Sequence, residues 1–227
     1  MEQDLGVKWF NTVFYPQRKT ARAVRYEDGV LPRLRENEIN LFTPWGPRYH
    51  WRERGTQIRP TDKEIVVLRF LSRILGEWQE NMPEKKFTWL FLGADLYGTR
   101  INGLPEEPVG AYFENLRRWL AEILPLAKFR LWSEFDQEAG LLREGIRNDL
   151  HQRLSLPIIN QARKTAVVMS GGAAEAYLTE RLTEADLIET LYRPIKVSAV
   201  GRHKDEMVDG NLPRLYFLPE PLWAPWL

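Results

Sequence analysis

The chain has 227 residues, with 32 Lys and Arg against 31 Asp and Glu; 44% of residues are hydrophobic and 28% charged. That profile excludes a disordered chain and fits a globular protein burying roughly 70% of its unfolded surface. There is no cysteine, so disulfides, thiolate metal sites and thiol nucleophiles are excluded, and the net charge of +1 argues against bulk attraction to nucleic acid or membrane.

In chain order, Met1 to Phe10 carries Glu2, Asp4 and Lys8 without an apolar core, so no signal peptide is read there. Phe10 to Val24 is aromatic and basic, a strand, an arm or part of a site rim. Residues 1–38 are taken together as an N-terminal arm or edge element. Ile39 to Phe42 reads as a first strand, ended by Thr43-Pro44-Trp45-Gly46-Pro47. Pro60-Thr61-Asp62 opens a helix with Val67, Leu68, Leu71, Ile74, Leu75 and Trp78 at helical spacing. Phe87 to Leu92 is a short apolar run, the mark of a strand covered on both faces. Gly93 and Gly98 bracket a loop. A second helix begins at Pro108 with Val109, Phe113, Leu116, Leu120 and Leu124 on one stripe, and Lys128 to Trp132 is the next strand.

Strand, helix and strand at this spacing imply parallel pairing through crossovers. Asp136 to Leu154, Gln161 to Met169 and Ala173 to Leu191 read as further helices. Ile195 to Val200 and Leu215 to Leu218 read as late strands joined by a polar loop that suits a hairpin. The proline-rich end, residues 219–227, reads as an extended strap. The expected fold is therefore α/β: one Rossmann-like three-layer domain over residues 1–227, with a mainly parallel sheet, a C-terminal helical segment and late strands. No apolar run reaches the roughly 20 residues of a membrane helix, so no membrane partner and a cytoplasmic location are expected. Three scattered histidines, His50, His151 and His203, predict no metal site, and no cofactor is expected. The G-x-G-x-x-G, G-x-x-x-x-G-K-[ST], G-x-S-x-G and H-E-x-x-H signatures are absent.

Ligands of parallel α/β sheets bind beyond the carboxyl ends of the strands. That rule selects Thr43, Trp45, Gly46 and Arg48 after the first strand, Asp95, Tyr97, Thr99 and Arg100 after the second, and Ser133 and Glu134 after the third. Asp95 stands between two glycines and is able to hold an ammonium or a sugar hydroxyl, or to act as a base; a turn or helix cap is the plainer reading. Arg48 and Arg100 suit a phosphate or carboxylate, and Thr43 offers a hydroxyl. His203, in the loop after the strand containing Ser198, suits proton transfer. Tyr177 and Glu180 lie on a predicted helix, where an amphipathic face explains them equally well. Arg143 and Arg147, one turn apart, read as a solvated positive stripe.

The order of segments over roughly residues 40–227 resembles the isonitrile synthase family of pyoverdine and dityrosine biosynthesis. Pro60, Asp62 and Glu64 resemble its Pro-Asp-x-x-Glu helix opening with one residue inserted. Gly93-Ala94-Asp95-Leu96-Tyr97 resembles its Ser-Asp-Gly-aromatic run, and Val109 and Tyr112 its Val-x-x-Tyr pair. Ile195 to Val200 follows a late strand of the family without its histidine, and Ala224-Pro225-Trp226-Leu227 keeps only the Pro-Trp of its Thr-Pro-Trp-His close. The resemblance implies a metal-free lyase or transferase that condenses an amino-acid amine with a pentulose phosphate. Asp95, Thr43 and His203 are then the catalytic candidates, and Arg48, Tyr97, Arg100, Lys196 and Ser198 the substrate-binding ones. A second resemblance, to cyclodipeptide synthases, implies a tRNA-dependent aminoacyl transferase with Thr43 in the nucleophile's place. A third reading, a non-catalytic binding module of the same fold, rests on the two missing histidines.

Overall fold

The computed structural model describes residues 14–15, 29–46, 62–101, 103–154, 160, 174–199 and 212–217. The elements are β1 (Phe14–Tyr15), α1 (Leu31–Leu34), β2 (Glu38–Trp45), α2 (Asp62–Asn81), β3 (Lys86–Gly93), α3 (Glu106–Ile123), β4 (Ala127–Leu131), α4 (Asp136–Arg153), α5 (Ala174–Tyr192), β5 (Ile195–Ala199) and β6 (Arg214–Phe217). A π-helical turn, Tyr97–Ile101, follows β3, and a 3₁₀ turn, Trp132–Phe135, follows β4. The six strands form one sheet in the order β1-β6-β5-β2-β3-β4. All neighbours are parallel except β1, which runs antiparallel to β6.

The period-2 pleat sorts each strand's side chains between two helical layers. Ile39, Leu41 and Trp45 of β2, Trp89 and Phe91 of β3, and Ile195 and Val197 of β5 pack with α2 and α3. Phe42, Leu90 and Leu92 face the other way, toward Trp132, Phe135, Ala139 of α4 and Ile188 of α5. Apolar residues on both faces explain why β3 reads as an unbroken hydrophobic run.

Gly93, the last residue of β3, is fixed by this packing. A Cβ there would stand 2.8 Å from Phe113 Cδ1 and 2.9 Å from Leu131 Cδ2. The glycine therefore admits the α3 aromatic rather than a ligand. Gly93→Ala is expected to cost about 1–3 kcal/mol through overpacking, a fall of several degrees in melting temperature. An unchanged melting temperature would show that Phe113 and Leu131 yield without cost.

Several expected boundaries shift. β2 runs on through Pro44 to Trp45, and Trp132 opens the 3₁₀ turn instead of ending a strand. The late strands are not a hairpin: β5 and β6 pair in parallel, Lys196 opposite Arg214 and Ala199 opposite Phe217. The connection between Ala199 and Arg214 is long enough for a crossover, and chain polarity alone does not distinguish that from a hairpin. The expected helix at Gln161–Met169 and the strap at 219–227 lie outside the described residues. Among the described residues, no helix is long and apolar enough to cross a membrane.

Candidate functional site

The chain builds the sheet outward from β2 to β3 and β4, then returns to the other side of β2 with β5 and β6. The order thus switches between β2 and β5, and a crevice for ligands is expected beyond their carboxyl ends. There the two pairings of β2 differ. Its ladder with β3 continues to Trp45 opposite Gly93, whereas its pairing with β5 comprises Leu41–Ile195 and Phe42–Lys196. Pro44 brings no N–H to this end of the strand. Instead the Thr43 hydroxyl donates to Val197 O at 3.2 Å and accepts from Trp89 Nε1 at 3.0 Å.

Thr43 is buried, and its hydroxyl serves the sheet. Thr43→Val leaves the buried Trp89 N–H without an acceptor. It is expected to cost about 1–3 kcal/mol, while Thr43→Ser stays near wild type. Loss of activity in Thr43→Val at unchanged denaturation midpoint would instead mark the hydroxyl as chemical.

On the same layer, Trp45 Nε1 donates to Tyr112 Oη at 2.9 Å, and Tyr112 Oη lies 3.3 Å from Glu64 Oε1 and 3.4 Å from Gly46 O. Glu64 is 1% exposed. Two residues picked out by the isonitrile synthase resemblance, Glu64 and Tyr112, thus meet at the end of β2.

The other candidates lie toward α4 and α5. Asp95 follows β3, and its Oδ1 accepts the Ser133 backbone N–H at 3.1 Å. This bond ties the carboxyl ends of β3 and β4 together. Arg100 forms a two-pronged contact with Asp136 at 3.3 and 3.2 Å. Those bonds raise the Arg100 pKa, while the Arg100 guanidinium holds the Asp136 carboxyl below its ordinary value. Arg143 joins Asp136 at 2.9 Å and Glu180 at 2.5 Å, and Trp132 Nε1 donates to Glu180 at 2.8 Å. Arg143 is therefore an internal link, not part of a solvated stripe: its side chain is only 12% exposed. Arg147 is exposed. Glu134 sits at the surface between Arg117 and Arg130.

Tyr97 opens the π-helical turn and is buried against α5, with its ring edge-on to Tyr177 at 6.0 Å and the Arg181 guanidinium 5.9 Å from its centroid. Burial, then Glu184, raises its pKa well above the ordinary phenol value. Arg181 and Glu184, 8% and 2% exposed, pair at 3.2 Å. Sequence reading missed both. Their signal was the Tyr177-x-x-x-Arg181-x-x-Glu184 spacing, which puts all three on one helix face. Lys196, on β5, is buried.

The structure thus brings Asp95 to Ser133 and Arg100 to Asp136, and places Thr43 on the opposite layer. Arg48 and His203 lie outside the described residues, as does the side chain of Ser198. Among the described residues no three His, Cys, Asp or Glu side chains cluster as metal ligands.

The fold is the Rossmann-like α/β architecture of class I aminoacyl-tRNA synthetases. Tyrosyl-tRNA synthetase from Archaeoglobus fulgidus, solved with L-tyrosine, superposes with a TM-score of 0.59 at 12% identity, over 94% of this chain and 63% of its own. The PvcA protein from Pseudomonas aeruginosa gives 0.64 at 15% identity, over 100% and 86%. Tryptophanyl-tRNA synthetase from Giardia lamblia gives 0.56 at 13% identity, over 96% and 63%. The chain spans just under two thirds of the length of these synthetases. It matches no protein-family model and no curated protein.

Proposed function

We propose that the chain is an isonitrile-synthase-like enzyme that condenses an amino-acid amine with a pentulose phosphate. The carrying observation is Asp95. It stands beyond the carboxyl end of a central parallel strand, anchored through Oδ1 by Ser133 N–H, while Oδ2 makes no hydrogen bond with the described residues. A carboxylate held in this way accepts a proton from a substrate ammonium, freeing the amine to attack the ketose carbonyl carbon. As the C–N bond forms, the carbonyl oxygen takes up protons and leaves as water, giving the imine. Arg100, still half exposed beside Asp136, and Arg48 and Lys196 are the candidates for the phosphate and carboxylate. His203, by its place in the chain after β5, is the candidate for the second proton transfer.

The likeness to PvcA over the whole chain supports this reading at the level of fold. Two observations weigh against the tRNA-dependent alternative. The Thr43 hydroxyl is bonded on both sides within the sheet. The charges of α4 are mixed, with Asp136, Glu138, Glu144 and Asp149 beside Arg143, Arg147 and Arg153, where a polyanion would call for a basic face. The test is mass spectrometry of products after incubation with amino acids plus ribulose 5-phosphate, and separately with charged tRNA. Products only from the first mixture are expected; cyclic dipeptides from the second would replace this reading.

A further inference from the structure

The Tyr97 hydroxyl is buried and has no hydrogen-bond partner among the described residues, and the residue as a whole is 6% exposed. An unsatisfied hydroxyl in the interior costs free energy on the scale of a lost hydrogen bond, and native proteins rarely keep one without a reason. Its setting is equally unusual. It begins a π-helical turn, a rare geometry that recurs at functional sites, directly beyond β3. It faces α5, a helix buried on most sides that nevertheless carries the Arg181–Glu184 ion pair inside. Buried ion pairs are costly relative to apolar packing and are weak evidence of a purely stabilising role.

We propose that the Tyr97 hydroxyl, facing the Tyr177–Arg181–Glu184 side of α5, donates a hydrogen bond to a hydroxyl group of a bound polyol, the sugar portion of the phosphosugar substrate. Three features select that chemistry. Burial and the nearby Glu184 and Glu180 together outweigh the opposing Arg181 guanidinium and keep the phenol protonated, so it acts as a donor. The same two glutamates disfavour an anionic oxygen beside it, and the Arg181 guanidinium is already paired with Glu184. An alcohol oxygen, in contrast, accepts from a phenol and donates its own proton to a carboxylate. The assignment to a sugar phosphate rests on the function proposed above; the polyol site itself does not.

The test compares the full-length protein with Tyr97→Phe, which keeps the ring and removes only the oxygen. Melting temperatures are measured without ligand, and binding of ribulose 5-phosphate and of uncharged ribitol by calorimetry. The expected result is a melting temperature for Tyr97→Phe equal to or above wild type, with affinity for both compounds at least tenfold weaker. A lower melting temperature would show that a structural partner such as a buried water satisfies the hydroxyl, and would overturn the proposal. Unchanged affinity would overturn it while leaving the enzyme reading intact. Ribitol binding that depends on Tyr97, without ribulose 5-phosphate binding, would keep the polyol site and remove the phosphosugar substrate. Wild type binding neither compound would overturn both.

Discussion

Asp95→Asn is expected to lower turnover of the proposed amine–ketose condensation by roughly 10²–10⁴-fold, the usual weight of a positioned acid–base group. The same substitution should leave stability within about 0.5 kcal/mol of wild type, the usual range for a change that removes no structural partner. The reason lies in the division of labour between the two oxygens. Oδ1 accepts Ser133 N–H, and the asparagine carbonyl is able to take over that bond. The ionisable oxygen is replaced by an amide, which does not accept a proton from an ammonium. Asp95→Ala separates the two roles further, because it also leaves Ser133 N–H without its acceptor; it should lose turnover and about 1 kcal/mol of stability together. Steady-state kinetics and urea denaturation on the three proteins decide the matter. Retained turnover in Asp95→Asn, or unfolding of that variant, would make Asp95 a structural residue and remove the proposed site.

Glu180→Ala is expected to be among the most destabilising single changes in the molecule, at about 2–4 kcal/mol. Breaking a buried pair from one side leaves an uncompensated charge, a loss of about 3–5 kcal/mol when burial is complete. Here the Arg143 and Glu180 side chains are each 12% exposed, and Arg143 keeps Asp136 at 2.9 Å, so the expected loss falls somewhat below that range. Trp132 Nε1 loses its acceptor in the same variant. Glu180→Gln preserves an acceptor for the tryptophan and should cost distinctly less. The double change Glu180→Ala with Arg143→Ala should recover part of the loss, because it removes the orphaned guanidinium. Denaturant midpoints at constant slope provide the measurement. A loss below about 0.5 kcal/mol for Glu180→Ala would mean that solvent reaches Arg143 and that the network does not hold α4, α5 and the 3₁₀ turn together.

These two expectations differ in origin. The position of Asp95 was legible in the sequence, because a residue just past an apolar strand has a defined place in a parallel sheet. Glu180 was visible only as one face of a predicted helix, and its partners Arg143 and Trp132 are 37 and 48 residues away. Arg143 shows the limit most clearly. With Arg147 it forms a local pattern that reads as solvated, yet α5 packs over it and turns it inward. Thr43 shows the converse: its place at a strand end matched the rule for ligand-binding residues, but the pleat directs its hydroxyl to Trp89 and Val197.

Local pattern was enough to read the alternation of helices and strands, the double-sided burial of β3 and the parallel core, because hydrophobic periodicity and turn residues are local properties of the chain. Three features came only from the packed chain: which carboxyl-end residues share a face, that β5 and β6 run parallel, and that the buried Tyr97 hydroxyl has no partner among the described residues. Each of these depends on contacts between residues distant in sequence, and only packing selects among the arrangements that the local pattern allows.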